Sequence, residues 1–416
     1  MTHVLVVADD FTGACEVAAV FARPQTPVSI AVDGLMAVDG APPNAAVRVV
    51  NTETRHAGAE EARAKIEARL RPWLEGPEAI LYKKIDSTLR GPVATETEAL
   101  RRASGCAGVL VAPALPAEGR TTVAARQLLW GVPLEDAAAG QDPVGAAATS
   151  HIPTLLRRQA GVSVGTIGME TVERGAGALT EALRRSFSQN GYCVVDAATE
   201  QHLAVIARSA QDLPKKVLLV GTAGLARHLA KSLRPAADTD AKAPPPKTVG
   251  SAGILILCGS MNPVNREQLD VLKEWETVHT ITLTATAGFA ASQERAAAHL
   301  ATAHLALQSP AGRAETGVFA DAIAQYARRL ITATKPRCIF VTGGETAYRT
   351  LRALSASEIV IQGEVAPGLP FGFVQGGSAD RLPIITKAGG FGGKNALLHV
   401  VRHLSGEGVD ALSAPS

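Results

Sequence analysis

HVLVVADDFTGACEVAAVFA, residues 3–22, reads as a strand, a short loop and a helix. The apolar run from His3 to Val7 is continuous, as expected of a strand buried on both faces, and an alanine-rich helical pattern takes over at Phe11. In parallel α/β units ligands gather at the carboxyl ends of the strands, which is where Asp9 and Asp10 fall. VSIAVD and AAVRVVNTETR repeat the format; the second ends in Asn51, Thr52, Glu53, Thr54 and Arg55, and a helix is predicted from about Gly58 to Leu74. EAILYKKIDSTLRG then gives a strand and a charged turn in which Lys83, Lys84, Asp86, Ser87, Thr88 and Arg90 crowd together. Another strand, Val109 to Ala112, leads into a Pro- and Gly-rich loop bearing Glu118, Gly119 and Arg120. Leu129 to Leu155, which includes Asp142 and Pro143, reads as one long irregular loop. VSVGTIGM, GYCVVDAAT and KVLLVGTAGLARHLA carry the alternation on to about Leu233.

RPAADTDAKAPPPKTVG, residues 234–250, is the clearest boundary, because three consecutive prolines favour an extended spacer. It divides the chain into domains at 1–233 and 251–416, a count that the 416 residues can accommodate at roughly 100–200 residues each. The second begins with ILILCGS, continues through NREQLDVLKEW, VHTITLT and a long helix around Phe319 to Thr334, and ends its last helix at VRHL, Val401 to Leu404. The expected fold class is α/β: two α/β domains with mainly parallel sheets and an active site in the interdomain cleft.

Composition excludes several classes. A hydrophobic content of 46% supports substantial cores, while an aromatic content of 4% and a net charge of +2 disfavour nucleic-acid binding. The five cysteines are scattered without a CxxC pair, which suits buried thiols in a reducing cytoplasm better than zinc sites or bridges. MTHVLVVADD reads as a first strand rather than a signal peptide, and no apolar run of about eighteen residues suggests a membrane span.

Four constellations carry chemistry. In ADDFTGACE the paired carboxylates suit a general base, a metal ligand or a hydroxyl-binding group, and Thr12 and Gly13 favour an anion; the plainer alternative is an aspartate that caps the helix. In YKKIDSTLRG, Lys84 and Arg90 match a carboxylate or phosphate and Asp86 can orient or deprotonate a hydroxyl, unless these are ordinary surface ion pairs. CGSMNPVNREQL is a strand-to-helix turn suited to a phosphate or ribose around Ser260. Finally CIFVTGGETAY, GEVAPGLPFG and ITKAGGFGGKNAL bring three glycine clusters within about fifty residues. They suit a phosphate cradle, with Glu345 or Thr346 meeting a phosphate or its magnesium and Lys387 and Lys394 supplying charge, or else plain turns. GxxxxGK[ST], a GxGxxG after the first strand, HExxH and GxSxG are all absent.

Together ADDFTGA, NTETR, KKIDSTLRG, LVAPALPAEGRTT, DPV with SHIPTLL, CGSMNPVNREQ, VTGGETA, GEVAPGLPFG and TKAGGFGG resemble the four-carbon acid sugar kinase family, in order and over nearly the whole chain. The resemblance implies a substrate-binding N-terminal domain, a nucleotide-binding C-terminal domain, and transfer from ATP with Mg2+ to threonate, erythronate or 3-oxo-tetronate. It places Asp10, Arg55, Lys84, Asp86, Ser87 and Arg90 towards the substrate, with Asp10 or Asp86 as the base; Asp9 joins them as the neighbouring carboxylate. Towards ATP it places Ser260, Gly343, Gly344, Glu345, Thr346, Gly363, Glu364, Val365, Ala366, Gly389 and Gly390. The magnesium ligands stay open. Phe11, Glu16, GSMN and TKAGGFGG depart from the family's usual pattern and leave the acceptor undecided. The partners implied are a small sugar acid and ATP, neither nucleic acid nor membrane, with a homodimer left open. A non-catalytic sugar-acid sensor and an NAD-dependent hydroxy-acid dehydrogenase are the alternatives.

Overall fold

The computed structural model describes residues 3–23, 26–32, 47–74, 79–137, 149–214, 216–233, 252–260, 262–275, 278–283, 289–310, 316–366 and 368–405. The proline-rich stretch 234–250, Asp142 and Pro143, and the tail after Ser405 lie outside them. The chain forms two compact units, residues 1–21 with 42–240 and residues 22–41 with 241–416. In chain order the strands are β1 (His3–Ala8), β2 (Val28–Ala31), β3 (Val47–Asn51), β4 (Ala79–Lys84), β5 (Gly108–Ala112), β6 (Arg120–Val123), β7 (Arg126–Leu129), β8 (Val132–Pro133), β9 (Val164–Ile167), β10 (Tyr192–Val195) and β11 (Val217–Gly221). They are followed by β12 (Ile254–Cys258), β13 (Val278–Thr282), β14 (His304–Gln308), β15 (Cys338–Thr342), β16 (Glu358–Ala366), β17 (Leu369–Gln375) and β18 (Pro383–Lys387).

In the first unit β3-β1-β4-β11-β5-β10-β9 form a wholly parallel sheet. Helices pack on it, so β5, β10 and β11 are buried throughout, which is why their sequences are unbroken apolar runs. The chain passes from β1 to β3 on one side and then to β4 on the other, making β1 a topological switch point. Ala8 stands in register with both Asn51 and Lys84, so the loops after β1, β3 and β4 leave the same edge side by side. The second unit has the order β13-β14-β12-β15-β18-β17-β16-β2, parallel as far as β18 and antiparallel beyond it. There Cys258 pairs with Thr342 and Thr342 with Lys387, which aligns the loops after β12, β15 and β18. Among the described residues no helix is long and apolar enough to cross a membrane.

Two expectations change. VSIAVD, assigned by sequence to the first domain, supplies β2 to the second unit, where it runs antiparallel to Glu358–Ile361. A short apolar run specifies a buried strand but not the sheet it joins. Leu129–Leu155 is not irregular throughout: Val132–Pro133 form β8, the third strand of a small antiparallel sheet whose β6 and β7 lead into this stretch, and a helix runs from Ile152 to Ala160. The β6–β7 turn has no Gly or Asn signal; it uses Ala124 and Ala125 at φ 49° and 57°, with both amides donating to the Asp196 carboxylate at 2.7 and 2.8 Å. Gly363 to Ala366 lie within β16, which forms a hairpin with β17.

Two charged contacts distinguish the first core. Lys83 Nζ lies 2.5 Å from Glu96 Oε2 with both side chains sealed from water. Glu96→Gln or Lys83→Met alone is expected to lower the unfolding free energy by about 3–5 kcal/mol in urea titrations, and the double variant to recover most of it. Glu98 accepts hydrogen bonds from Arg101, Arg102 and the Tyr192 hydroxyl. Burial pushes its carboxyl up, but these donors outweigh burial and hold it at about 2. A carboxyl depressed on folding stabilises fully above its unfolded pKa and loses that effect as pH falls towards the folded one. Glu98→Gln should therefore lower Tm at neutral pH, with the gap to wild type closing as pH drops below about 4.5.

Candidate active site

At the edge of the first sheet, Arg55 binds two carboxylates at once. Its Nε and Nη2 donate to Asp9 at 2.9 and 3.0 Å, and its Nη1 and Nη2 donate to Asp10 at 2.7 Å each. The backbone reinforces this, since the amides of Thr54 and Arg55 both donate to the Asp9 carbonyl. Asp10 also accepts the Gly13 amide at 2.9 Å and so caps helix Phe11–Phe21. A Cβ on Gly13 would lie 2.6 Å from Asp10 Oδ1 and 2.8 Å from Lys84 Nζ, so the helix start must be bare for these groups to converge. Asp86, 4.0 Å from Arg55 Nη1, accepts from Arg90 Nε and Nη2 at 2.8 and 3.0 Å and from the Thr88 hydroxyl at 2.5 Å.

Burial pushes Asp9 and Asp86 up, but the guanidiniums beside them win: Arg55 holds Asp9 below the usual carboxylate range, and Arg55 with Arg90 holds Asp86 well below it. Burial raises Glu16 to about 7, opposed by Lys84, whose Nζ is 3.9 Å away. Two loop residues that are not glycine, Glu53 and Leu89, sit at φ 48° and 59°, strain of a kind that collects at functional sites. The cluster can bind an anion through Lys84 and Arg90 and orient a hydroxyl through Asp10. Asp10 and Arg90 are the more exposed members, at 18% and 31% against 3% for Asp9 and 10% for Asp86.

In the second unit three loops converge. A Cβ on Gly389 would lie 1.8 Å from Ser260 Oγ and 2.6 Å from Ser260 Cβ, so the loop after β18 lies directly on the loop after β12. Gly343, after β15, donates its amide to the Lys387 carbonyl and lies beside Ser260. Lys387 is buried; its Nζ donates to the carbonyls of Ala388, Gly389 and Phe391, and burial lowers its pKa to about 8. From the other side Gln268 Nε2 donates to the carbonyls of Phe391, Gly392 and Gly393, each at 3.0 Å. The carbonyls that would repel an anion are thus engaged, leaving a loop whose backbone can accept phosphate.

The predicted residues therefore fall into two groups. Asp9, Asp10, Arg55, Lys84, Asp86, Ser87 and Arg90 share one edge, while Ser260, Gly343, Gly344, Gly389 and Gly390 share the other unit's loop cluster. Thr346 is buried against Gly259. Glu345 pairs with Arg349 at 2.8 Å, and Arg349 also pairs with Asp321. Gly363, Glu364, Val365 and Ala366 adjoin the cluster through their hairpin turn, where Gly368 packs on Phe391. Asn262, missed in the sequence, caps helix Pro263–Lys273, and an Asn before a Pro is a recognisable cap signal. Gln268 had no such signal, because its partners lie 123–125 residues away.

Comparison with known proteins follows this division. A family model described as a sugar-binding N-terminal domain matches residues 4–229, and one described as a nucleotide-binding C-terminal domain matches residues 255–397. A D-threonate kinase of Salmonella typhimurium is 32% identical, with 96% of this chain and 98% of that one covered. A 3-oxo-tetronate kinase of Pseudomonas fluorescens is 28% identical, with 96% of each covered. A solved Salmonella typhimurium structure, described as a tRNA synthase, superposes with a TM-score of 0.78 at 23% identity, covering 97% of this chain and 100% of that one; this likeness shows the fold alone. The chain belongs to the four-carbon acid sugar kinase family.

Proposed function

We propose that the protein transfers the terminal phosphoryl group of ATP to the terminal hydroxyl of a four-carbon sugar acid, giving the 4-phosphate. The observation that carries this reading is the close approach of Gly389 to Ser260, which leaves no room for a Cβ and brings the bare backbone of one strand-end loop against another in a unit matched to nucleotide binding. The acceptor side rests on the Asp9–Arg55–Asp10 cluster in the unit matched to sugar binding. D-threonate comes first among the acceptors, ahead of erythronate and 3-oxo-tetronate, because relatives at 32% identity are named D-threonate kinases. Small-molecule partners and a cytoplasmic setting belong to the same reading.

In this mechanism Lys84 and Arg90 bind the acid's carboxylate, and Ser87 lines the same loop. Asp10 accepts a hydrogen bond from the acceptor hydroxyl, aims its oxygen, and takes the proton as the new P–O bond forms. Asp86, saturated by Arg90 and Thr88, orients Arg90 instead of acting as a base. Ser260 with the amides around Gly343, Gly344, Gly389 and Gly390 would hold the polyphosphate. ATP supplies the phosphoryl group, and Mg2+ would offset its charge. Among the described residues no group of three or more His, Cys, Asp or Glu side chains could hold a metal, so no protein ligand is assigned to magnesium. Such transfer depends mainly on positioning and charge stabilisation, and it requires the two sites to meet in the reacting state.

The test is ADP release with D-threonate, D-erythronate or 3-oxo-tetronate in a coupled assay; silence with all three would sink the proposal. Asp10→Asn should lower kcat by about 100-fold or more while leaving the KM for ATP in place. Gly389→Ala should do the reverse, raising the KM for ATP by about tenfold, roughly 1.4 kcal/mol of lost binding, with the KM for the acid unchanged.

A further inference from the structure

We infer that Gln127 is a positioning residue of the acceptor site: from the small sheet β6–β7–β8 it holds the carbonyl of Ser87 and so fixes the loop that presents Asp86 and Arg90. The inference rests on the acceptor role proposed for that loop. Gln127 has no exposed surface, and its amide is fully used. Nε2 donates to the Ser87 carbonyl at 2.9 Å and to the Pro113 carbonyl at 3.2 Å, and Oε1 accepts from the Thr122 hydroxyl at 2.8 Å. Filling the space would need only an apolar side chain of similar size. What the amide adds is a bridge between the loops that follow β4 and β5.

The bridge has a firm footing. Thr122 and Gln127 face each other in the β6–β7 register, four residues per strand. Their turn places Ala124 and Ala125 in the left-handed region, which is unfavourable for residues other than glycine, and the Asp196 carboxylate at the end of β10 offsets this by accepting both amides. Thr122 also exchanges backbone hydrogen bonds with Ala197, and the Gln127 backbone N–H donates to the Ser150 carbonyl. The footing is therefore tied to a neighbouring strand end independently of the loop it supports.

That loop needs support. Leu89 is held in a left-handed conformation, and Ser87 is the immediate neighbour of Asp86, whose bidentate bond aims Arg90. With the Ser87 carbonyl released, the loop can relax towards an unstrained backbone and carry both charged groups with it. A displacement near 1 Å in such a site costs up to about 100-fold in rate.

Steady-state kinetics of the full chain test the inference. Gln127→Leu, which keeps the volume and removes the donors, should raise the KM for the sugar acid about tenfold and lower kcat, with the KM for ATP within about twofold of wild type. Gln127→Glu puts a carboxylate against two carbonyls, so it should be worse at pH 8 and partly recover towards pH 6, where a protonated carboxyl regains one donor. Wild type should show no such recovery. An unchanged KM for the acid in Gln127→Leu, or a parallel rise in both KM values, overturns the role. Should Gln127→Leu fail to fold, Thr122→Val, which frees the amide from its anchor, decides: a smaller rise confined to the acid supports the role, and no rise overturns it. Inactivity of wild type with every four-carbon acid would instead overturn the acceptor reading, and this inference with it.

Discussion

Two adjacent carboxylates at the end of one strand repel each other, and Arg55 makes the pair tenable. Its planar fork meets both oxygens of Asp9 and both of Asp10, a geometry a lysine could not supply. The guanidinium is itself buried; burial would lower its pKa, but Asp10, Asp9 and Asp86 raise it well above the ordinary value. The register of β1, β3 and β4 brings their loops within reach, and the charge cluster then fixes how those loops close.

Under the proposed nucleotide role, the second unit meets the opposite problem. A polyphosphate needs a surface free of lone pairs and large side chains, and charged groups alone do not provide it. Lys387 and Gln268 engage loop carbonyls from inside, while glycine keeps the backbone close to Ser260. Lys387, readable in the sequence as a phosphate-binding cation, is thereby tied to its own loop.

Strand-end chemistry made much of this legible. Asp9, Asp10, Arg55, Asp86 and Arg90 follow strands that open on apolar residues, and in a parallel sheet such positions share an edge, so adjacency could be inferred without coordinates. The small antiparallel sheet was hidden because its turn is built from alanines, with the compensating carboxylate more than seventy residues away at Asp196. Gln127 and Gln268 were hidden for a related reason. A buried glutamine acts through partners distant in sequence, and a single chain carries no local mark of them. Spacing also separated Asp10 from Asp86 poorly; both carboxylates accept from an arginine at each oxygen, and the greater exposure of Asp10, not its motif, distinguishes the two.

Strand β2 has a consequence for biosynthesis. Val28–Ala31 is made early, yet its partner Glu358–Ile361 belongs to the last part of the chain. Until that partner emerges, an apolar strand waits with one ladder unsatisfied, a contact of very long sequence separation and slow closure. The first unit can acquire its parallel sheet during synthesis, but the second cannot complete its antiparallel edge until nearly the whole polypeptide is available. A ribosome-bound fragment that stops short of β16 would thus expose a sticky ribbon near its start, the kind of segment on which holding chaperones act and from which aggregation begins.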